Sequence, residues 1–277
     1  MRIGFVTCVQ LGLACMEEIH AVGGHLDFAM TLKDDRAVAK SGRVHLDAFC
    51  QAHGIPLAKI VNVNDPDAVE AIRNADLDWL FIIGWSQIAR AEVLGTPRKG
   101  VLGMHPTLLP EGRGRAAIPW AILKGLRETG VTLFKLDEGV DTGPILAQER
   151  LAIGEREDAG SLYARVNEAH RLLIRHAWPD LVANRLALQP QDPEAGSVWP
   201  GRKPEDGRLD PAMTLQEADR LVRAVTRPYP GAFLDVEGRR LRVWRGEPGA
   251  REATGLPLAF ADGTYRALEF DWEPVPA

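Results

Sequence analysis

The strongest constraint on this chain is the alternation of short apolar runs with helix-like stretches over its first hundred residues. Arg2–Cys8, His25–Leu32, Leu57–Val61, Leu77–Ile83 and Val101–Met104 are apolar runs of four to eight residues. That length suits strands rather than helices. Between them the spacing predicts helices over Leu13–Val22, stopped by Gly23-Gly24, over Leu46–His53, closed by Gly54, and over Asp67–Asn74. Asp65 is expected to cap the last of these, with Pro66 in its first turn. Strands separated by helices imply an α/β fold, a Rossmann-like, mostly parallel sheet with helices on both faces. The first turn, Val9–Ala14, is not G-x-G-x-x-G, so it carries no dinucleotide fingerprint, and Gly12 reads as a steric necessity of the turn.

The rest of the chain changes character. Ser161–Leu173 places Leu162, Val166, Ala169 and Leu173 on one helical stripe, which extends through Ala183 if Pro179 only kinks it. Residues 189–206 are rich in Pro, Gly, Asp and Glu and read as a linker. The helix Leu215–Thr226 and short strands at Ala232–Val236, Arg240–Trp244 and Tyr265–Phe270 follow. The expected organisation is a catalytic domain over 1–188, the linker over 189–206, and a small C-terminal α+β domain over 207–277.

The chemistry concentrates between Val101 and Gln148. His105 ends the fifth apolar run, and Thr107–Ala117 follows as a loop with two glycines and two arginines, Arg113 and Arg115. A short helix is expected over Pro119–Leu126 and a strand over Gly130–Leu136. Asp137–Gly143 then forms an acidic turn. A histidine after one strand and an aspartate after the next would meet in the crevice beyond the carboxyl ends of a parallel sheet. His105 can hold or move a proton near neutral pH, and the carboxylate of Asp141 would fix its tautomer. A histidine before proline alone is more often a satisfied turn residue, and DEGVDTG alone an acidic turn. Together at this spacing they favour a site.

HPTLLPEGRG followed by GVTLFKLDEGVDTGPILAQ resembles the core of the N10-formyltetrahydrofolate-dependent formyltransferases, and the resemblance spans roughly residues 1 to 190, continuing more weakly to the end. It implies His105 and Asp141 as the catalytic pair and N10-formyltetrahydrofolate as the formyl donor. It also implies a pterin pocket lined by Trp85, Ser86, Gln87 and Ile88, with Leu102, Asp137, Gly139 and Val140 on the opposite wall. Trp85 capping the core is an equal alternative. Arg113 and Arg115 are the candidates for an anionic acceptor or the folate glutamate tail, since a guanidinium meets phosphate bidentately. The loop Asp34–Val44 would cover the substrate mouth, or be a polar linker. One departure stands out: the family's Asn-x-His-Pro is here Gly103-Met104-His105-Pro106. Positions two apart on a strand share a face, so a side-chain donor beside His105 is missing. Losing one oxyanion donor typically costs about 2.7–4 kcal/mol.

Charge separates the remaining alternatives. Residues 201–277 carry 12 Lys+Arg against 13 Asp+Glu, leaving 21 against 25 elsewhere, for a net charge of −5. A domain that grips tRNA should be basic, so a small-molecule amine, chiefly a nucleotide-linked amino sugar, is the expected acceptor. A methionyl-tRNA formyltransferase-like enzyme ranks second. A formyltetrahydrofolate hydrolase or a weakly catalytic folate-binding protein remains open because of Gly103. The sparse cysteines Cys8, Cys15 and Cys50 lack metal-ligand spacing, so no metal is expected and buried thiols are. No apolar stretch reaches the roughly 18 residues of a membrane span, and the N-terminus lacks signal-peptide character. A cytoplasmic enzyme is expected, with pairing into a homodimer left open.

Overall fold

The computed structural model describes residues 1–36, 42–192, 194–249 and 254–275. The loop expected over the substrate mouth includes residues 37–41, which lie outside the described residues. In chain order the elements are β1 (Ile3–Val6), α1 (Gln10–Ala21), β2 (Phe28–Leu32), α2 (Asp47–His53), β3 (Leu57–Ile60), α3 (Pro66–Asn74), β4 (Trp79–Ile83), α4 (Ala91–Gly95) and β5 (Gly100–His105). There follow β6 (Arg113–Gly114), α5 (Ala117–Leu123), β7 (Glu128–Lys135), β8 (Ile145–Ala152) and α6 (Ala159–Val182). The last are β9 (Val198–Trp199), α7 (Leu215–Val225), β10 (Ala232–Val236), β11 (Arg239–Pro248), β12 (Leu256–Phe260) and β13 (Gly263–Pro274). The chain forms two compact units. The first comprises Met1–Gly114, Gly130–Leu151 and Arg165–Val198, and the second Arg115–Thr129, Ala152–Ala164 and Trp199–Ala277.

The first unit is built on a seven-stranded sheet in the order β3-β2-β1-β4-β5-β7-β8. β1 to β5 pair in parallel, as the alternation predicts. The sequences IGFV, FAMTL, WLFII and GVLGMH are buried along their whole length, as parallel strands covered on both faces must be. Phe5 stacks on Phe81 at 5.6 Å between ring centroids, and Val6, Met30, Leu80 and Val101 join Val69 and Ile72 of α3 in one core cluster. Each such side chain contributes about 1.5–3 kcal/mol through burial. Gly12 behaves as expected, since a Cβ there would stand 1.9 Å from Thr7 Oγ1. All three cysteines are buried and unbridged. Asp65 precedes α3 but does not cap it with its side chain; its Oδ2 accepts the Asn62 N–H at 3.1 Å instead. α6 runs through Pro179, and its Arg171 and Arg175 clamp the buried Glu18 of α1 at 3.3 and 2.7 Å. The Arg175 hydrogen bond, with help from Arg171, holds that carboxyl below the usual range.

One sequence expectation is corrected here. β7 runs antiparallel to β5, with His105 opposite Thr132 and Leu102 opposite Lys135. The end of β7 therefore lies beside the start of β5, away from His105, so the acidic turn does not follow a neighbouring strand tip. Strand direction is set by the connection and partner, and local periodicity does not encode it.

The second unit carries an antiparallel sheet in the order β10-β11-β13-β12, with α7 against β11 and β13. Leu221 and Val222 of α7 are buried along with Leu241 and Val243 of β11. α7 starts with a reciprocal cap: Thr214 Oγ1 accepts the Glu217 N–H at 3.3 Å, and Glu217 Oε2 accepts the Thr214 N–H at 2.8 Å. Alternate residues of β11, Arg240, Arg242 and Trp244, face away from Leu241 and Val243. Arg240 and Arg208 both donate to Asp235, at 2.8 and 2.7 Å, and hold that carboxyl down at about 2. Arg242 pairs with Glu273 and Arg227 with Glu269. Trp244 Nε1 donates to Asp271 at 2.6 Å. Among the described residues, no helix is long and apolar enough to cross a membrane, and no cluster of three His, Cys, Asp or Glu could hold a metal ion.

Candidate active site

The site begins with two glycines that bend the loop after β5. Gly112 and Gly114 take φ of +71° and +105°, a region open to residues without a Cβ. Their backbone groups then hold the two candidate catalytic side chains. His105, 7% exposed, directs Nε2 at the Gly112 carbonyl at 2.8 Å. A carbonyl only accepts, so Nε2 carries the proton and donates it. Nδ1 is left facing Asp141 Oδ2 at 3.6 Å, beyond direct hydrogen-bond reach. That same oxygen accepts the Gly114 N–H at 2.8 Å. One loop thus fixes both members of the pair and leaves a gap between them.

Asp141 reaches His105 because the turn after β7 folds back along β5. Asp141 adopts φ +55°, a left-handed conformation that aspartate tolerates better than most residues. Gly143 is required for the reversal: a Cβ would lie 1.8 Å from the Lys135 carbonyl. Asp137 Oδ1 accepts the Gly139 N–H at 3.1 Å and the Thr142 hydroxyl at 2.7 Å, closing the turn on itself.

The structure brings some predicted residues to this face and not others. Trp85, partly buried, packs on the core cluster, with its indole N–H enclosed and without a partner. Gln87 bridges backbone groups, accepting from Val63 N and donating to the Val61 carbonyl, both at 2.8 Å. Ser86 and Ile88 are exposed, Ile88 by 60%, and Val140 is exposed by 46%. Leu102 is fully buried, and strand alternation turns its side chain to the face opposite His105. It belongs to the core, not to an open pocket wall. Arg113, expected to reach an anion, is 8% exposed and binds Gln191 Oε1 through Nε and Nη2 at 3.2 and 2.9 Å. Arg115 is exposed and falls in the second unit.

Gly103 has a structural explanation. A Cβ built there would stand 2.6 Å from Leu136 Cδ2, so the leucine that follows β7 occupies the space beside His105 that a side chain at 103 would need.

Sequence reasoning missed four supports. Gln191, inside the stretch expected to be linker, donates Nε2 to the carbonyls of Asp141 and Gly143 at 2.9 and 2.7 Å, tying the acidic turn to Arg113. Thr132 of β7 accepts the Leu109 N–H at 3.1 Å and donates to the Thr107 carbonyl at 2.7 Å. Gln148 of β8 donates to Leu109 O and Thr132 Oγ1 at 2.8 and 2.9 Å, so the HPTLLP loop is strapped to two strands. His170 of α6 is buried, bound through Nδ1 to the Val166 carbonyl at 2.7 Å. Burial, with a push from His105, pulls it down to about 4, so the ring is neutral near pH 7. Nothing local marks these residues; the interactions span 16 to 78 positions for Thr132, Gln148 and Gln191.

Comparison with known proteins gives this geometry a family. The formyl transferase family profile matches residues 35–177, and that of the formyl transferase C-terminal domain matches residues 202–265. Among solved structures, methionyl-tRNA formyltransferase from Clostridium thermocellum superposes with a TM-score of 0.66 at 19% identity, over 99% of this chain and 98% of that one. WlaRD, a sugar 3N-formyl transferase solved in the presence of dTDP and 5-N-formyl-THF, gives 0.68 at 16% identity over 100% and 98%. HypX from Aquifex aeolicus in complex with tetrahydrofolic acid gives 0.70 at 21% identity, over 99% of this chain but only 46% of HypX. The chain thus spans less than half the length of that larger protein. It belongs, in both its N-terminal and C-terminal parts, to the formyl transferase family.

Proposed function

We propose that this chain transfers a formyl group from N10-formyltetrahydrofolate to a primary amine carried by a nucleotide-linked amino sugar. The observation that carries the reading is the open Nδ1 of His105 facing Asp141 Oδ2 at 3.6 Å, with its tautomer set by the Gly112 carbonyl. The amine nitrogen bonds to the formyl carbon, and the carbonyl electrons move to oxygen. His105 Nδ1 takes the amine proton, and Asp141 balances the positive ring. As the oxyanion collapses, the C–N10 bond breaks and the same proton passes to N10. The N-formylated amine and tetrahydrofolate leave. General acid–base help of this kind contributes about 10²–10⁴-fold. The exposed apolar side chains of Ile88 and Val140 suit the faces of a pterin ring.

Two features favour a sugar acceptor over tRNA. Arg208, Arg227, Arg240 and Arg242 are each paired with an acid, which leaves their charges neutralised toward phosphates. Arg115 is exposed and keeps its fork for a pyrophosphate, whereas the Arg113 fork is engaged with Gln191. A second reading rests on Leu136, which leaves the space beside Gly103 without a side-chain donor. Water would then replace the amine and formate would be released. The discriminating experiment incubates the protein with formyl donor and a panel of amines, including nucleotide-linked amino sugars, and identifies products by mass. A formylated sugar nucleotide supports the first reading, formate release without any amine selects the second, and neither product overturns both.

A further inference from the structure

The second unit carries a pocket of its own, of about 290 Å³. Trp120 and Leu123 of α5, with Met213 and Leu221 of α7 and its approach, form an apolar wall. Arg202 and Arg220 reach the same hollow. Arg202 stands 5.1 Å from the Trp120 ring, and its Nη2 donates a hydrogen bond to the Asp206 carbonyl at 2.7 Å. Burial pulls its guanidinium below the usual arginine range. Arg220 has no hydrogen bond or ion pair among the described residues, and its Nη2 lies where a Cβ at Gly125 would be 2.6 Å away. Two carboxylates share the pocket, yet neither forms an ion pair with these arginines. Asp206 Oδ2 accepts the Lys203 N–H at 2.6 Å, and Glu217 Oε2 accepts the Thr214 N–H and hydroxyl at 2.8 Å each.

A partly buried guanidinium without an ion pair is unfavourable, and two of them line this hollow beside an apolar wall, Arg202 eased only by the nearby charge of Asp206. We propose that this pocket binds a small phosphate monoester, its phosphate between Arg202 and Arg220 and its organic group against Trp120, Leu123, Met213 and Leu221. Donor geometry decides for phosphate over carboxylate. Two guanidinium forks can meet the three oxygens of one phosphate, whereas a carboxylate offers two oxygens, enough for one fork. The hollow also limits the guest to a small molecule, since it lies near the lower end of ligand pockets, about 300 Å³.

Calorimetric titration of the full chain with phenyl phosphate, inorganic phosphate and benzoate tests this. Phenyl phosphate should saturate one site and bind about tenfold more tightly than either of the other two. The variant carrying Arg202→Gln and Arg220→Gln should lose about tenfold or more in that affinity, while Arg239→Gln, whose guanidinium stands 5.2 Å from the Trp272 ring outside the pocket, should leave it unchanged. If the double variant does not fold, Arg220→Gln alone is read in the same way. Absence of saturation, or equal binding by the wild type and the folded arginine variant, overturns the site. Benzoate binding as tightly as phenyl phosphate overturns the assignment to phosphate.

Discussion

Two acid–base pairs, one in each unit, are held in opposite ways. On the outer face of the second sheet, Arg240 closes on Asp235 with hydrogen bonds of 2.8 and 3.2 Å, and Arg208 adds another at 2.7 Å. In the first unit, the imidazole of His105 and the carboxylate of Asp141 are each held by a backbone group and stop 3.6 Å apart. A closed pair has its proton positions settled. An open pair, pinned from behind, leaves the Nδ1 lone pair without a direct hydrogen bond to the carboxylate it faces. An aspartate is thus closed onto arginines in one place and held short of a histidine in the other, and the difference is whether the partner or the backbone does the holding.

The sharpest way to break that contrast is to remove one side of the open pair. His105→Ala or Asp141→Asn should lower kcat/KM for formyl transfer by about 10²–10⁴-fold, with far-UV circular dichroism unchanged. Arg240→Gln, on the closed pair, should leave the rate where it was. Equal rates for all three proteins would remove the pair from the chemistry.

The buried histidine behind the site gives a second, somewhat smaller effect on stability. His170 sits at about 4 in the folded chain against 6.5 when free, because burial opposes its charge. The unfolded chain therefore takes up the proton first. Stability is full above about pH 6.5 and falls as pH drops toward 4, at roughly 1.4 kcal/mol per unit, or about 2 kcal/mol between pH 6.5 and 5. Urea unfolding of His170→Leu at those two pH values should show a slope reduced by that amount. His20 is also pulled down, by burial and by His53 and His25, so some slope remains in the variant. An unchanged slope would show that His170 does not titrate as its burial demands.

Gln191→Leu probes how far the support of Asp141 matters. It removes both bonds to the acidic turn and leaves the buried Arg113 without its amide partner, a loss of about 1–3 kcal/mol. The rate should fall about tenfold, because a displacement near 1 Å is costly to an oriented pair, and it should fall in kcat more than in KM. A change in KM alone would place Gln191 at the substrate instead of behind the aspartate.

These supports also mark the limit of what could be read in advance. Four of the five parallel strands were legible because a strand buried on both faces is a continuous apolar run. The edge strand β3 was legible by its short apolar run despite partial burial, and His105 and Asp141 because each ends a recognisable pattern. The reversal of β7 was not, since GVTLFK reads the same in either direction. β12 escaped because Pro257 interrupts LPLAF, which a strand tolerates at the sheet edge where β12 lies. Arg113 is a candidate for an anion by residue type alone. Its partner Gln191 lies 78 residues away, in a polar stretch with nothing to distinguish it. Leu136 against Gly103 is of the same kind: the glycine was visible as a departure, but the side chain filling its space came from across the sheet.

The smallest effect comes from opening the closed pair. Asp235 stays ionised down to about pH 2 because Arg240 and Arg208 donate to it. A carboxyl so depressed stabilises the fold above its ordinary 3.8 and loses that contribution only as pH falls through about 2, so the arginines stay neutralised at any working pH. Asp235→Asn removes the charge without removing the shape. If pairing is what separates this surface from a tRNA-binding one, the variant should bind tRNA a few-fold more tightly than the wild type at low salt. The gain should vanish as salt rises, since each freed phosphate contact adds about 0.9 to the salt slope on duplex. Formyl transfer to an amino sugar should not change. Strong, salt-dependent tRNA binding already present in the wild type would mean that the pairing does not silence the surface, and the acceptor would then have to be reconsidered from that end of the chain.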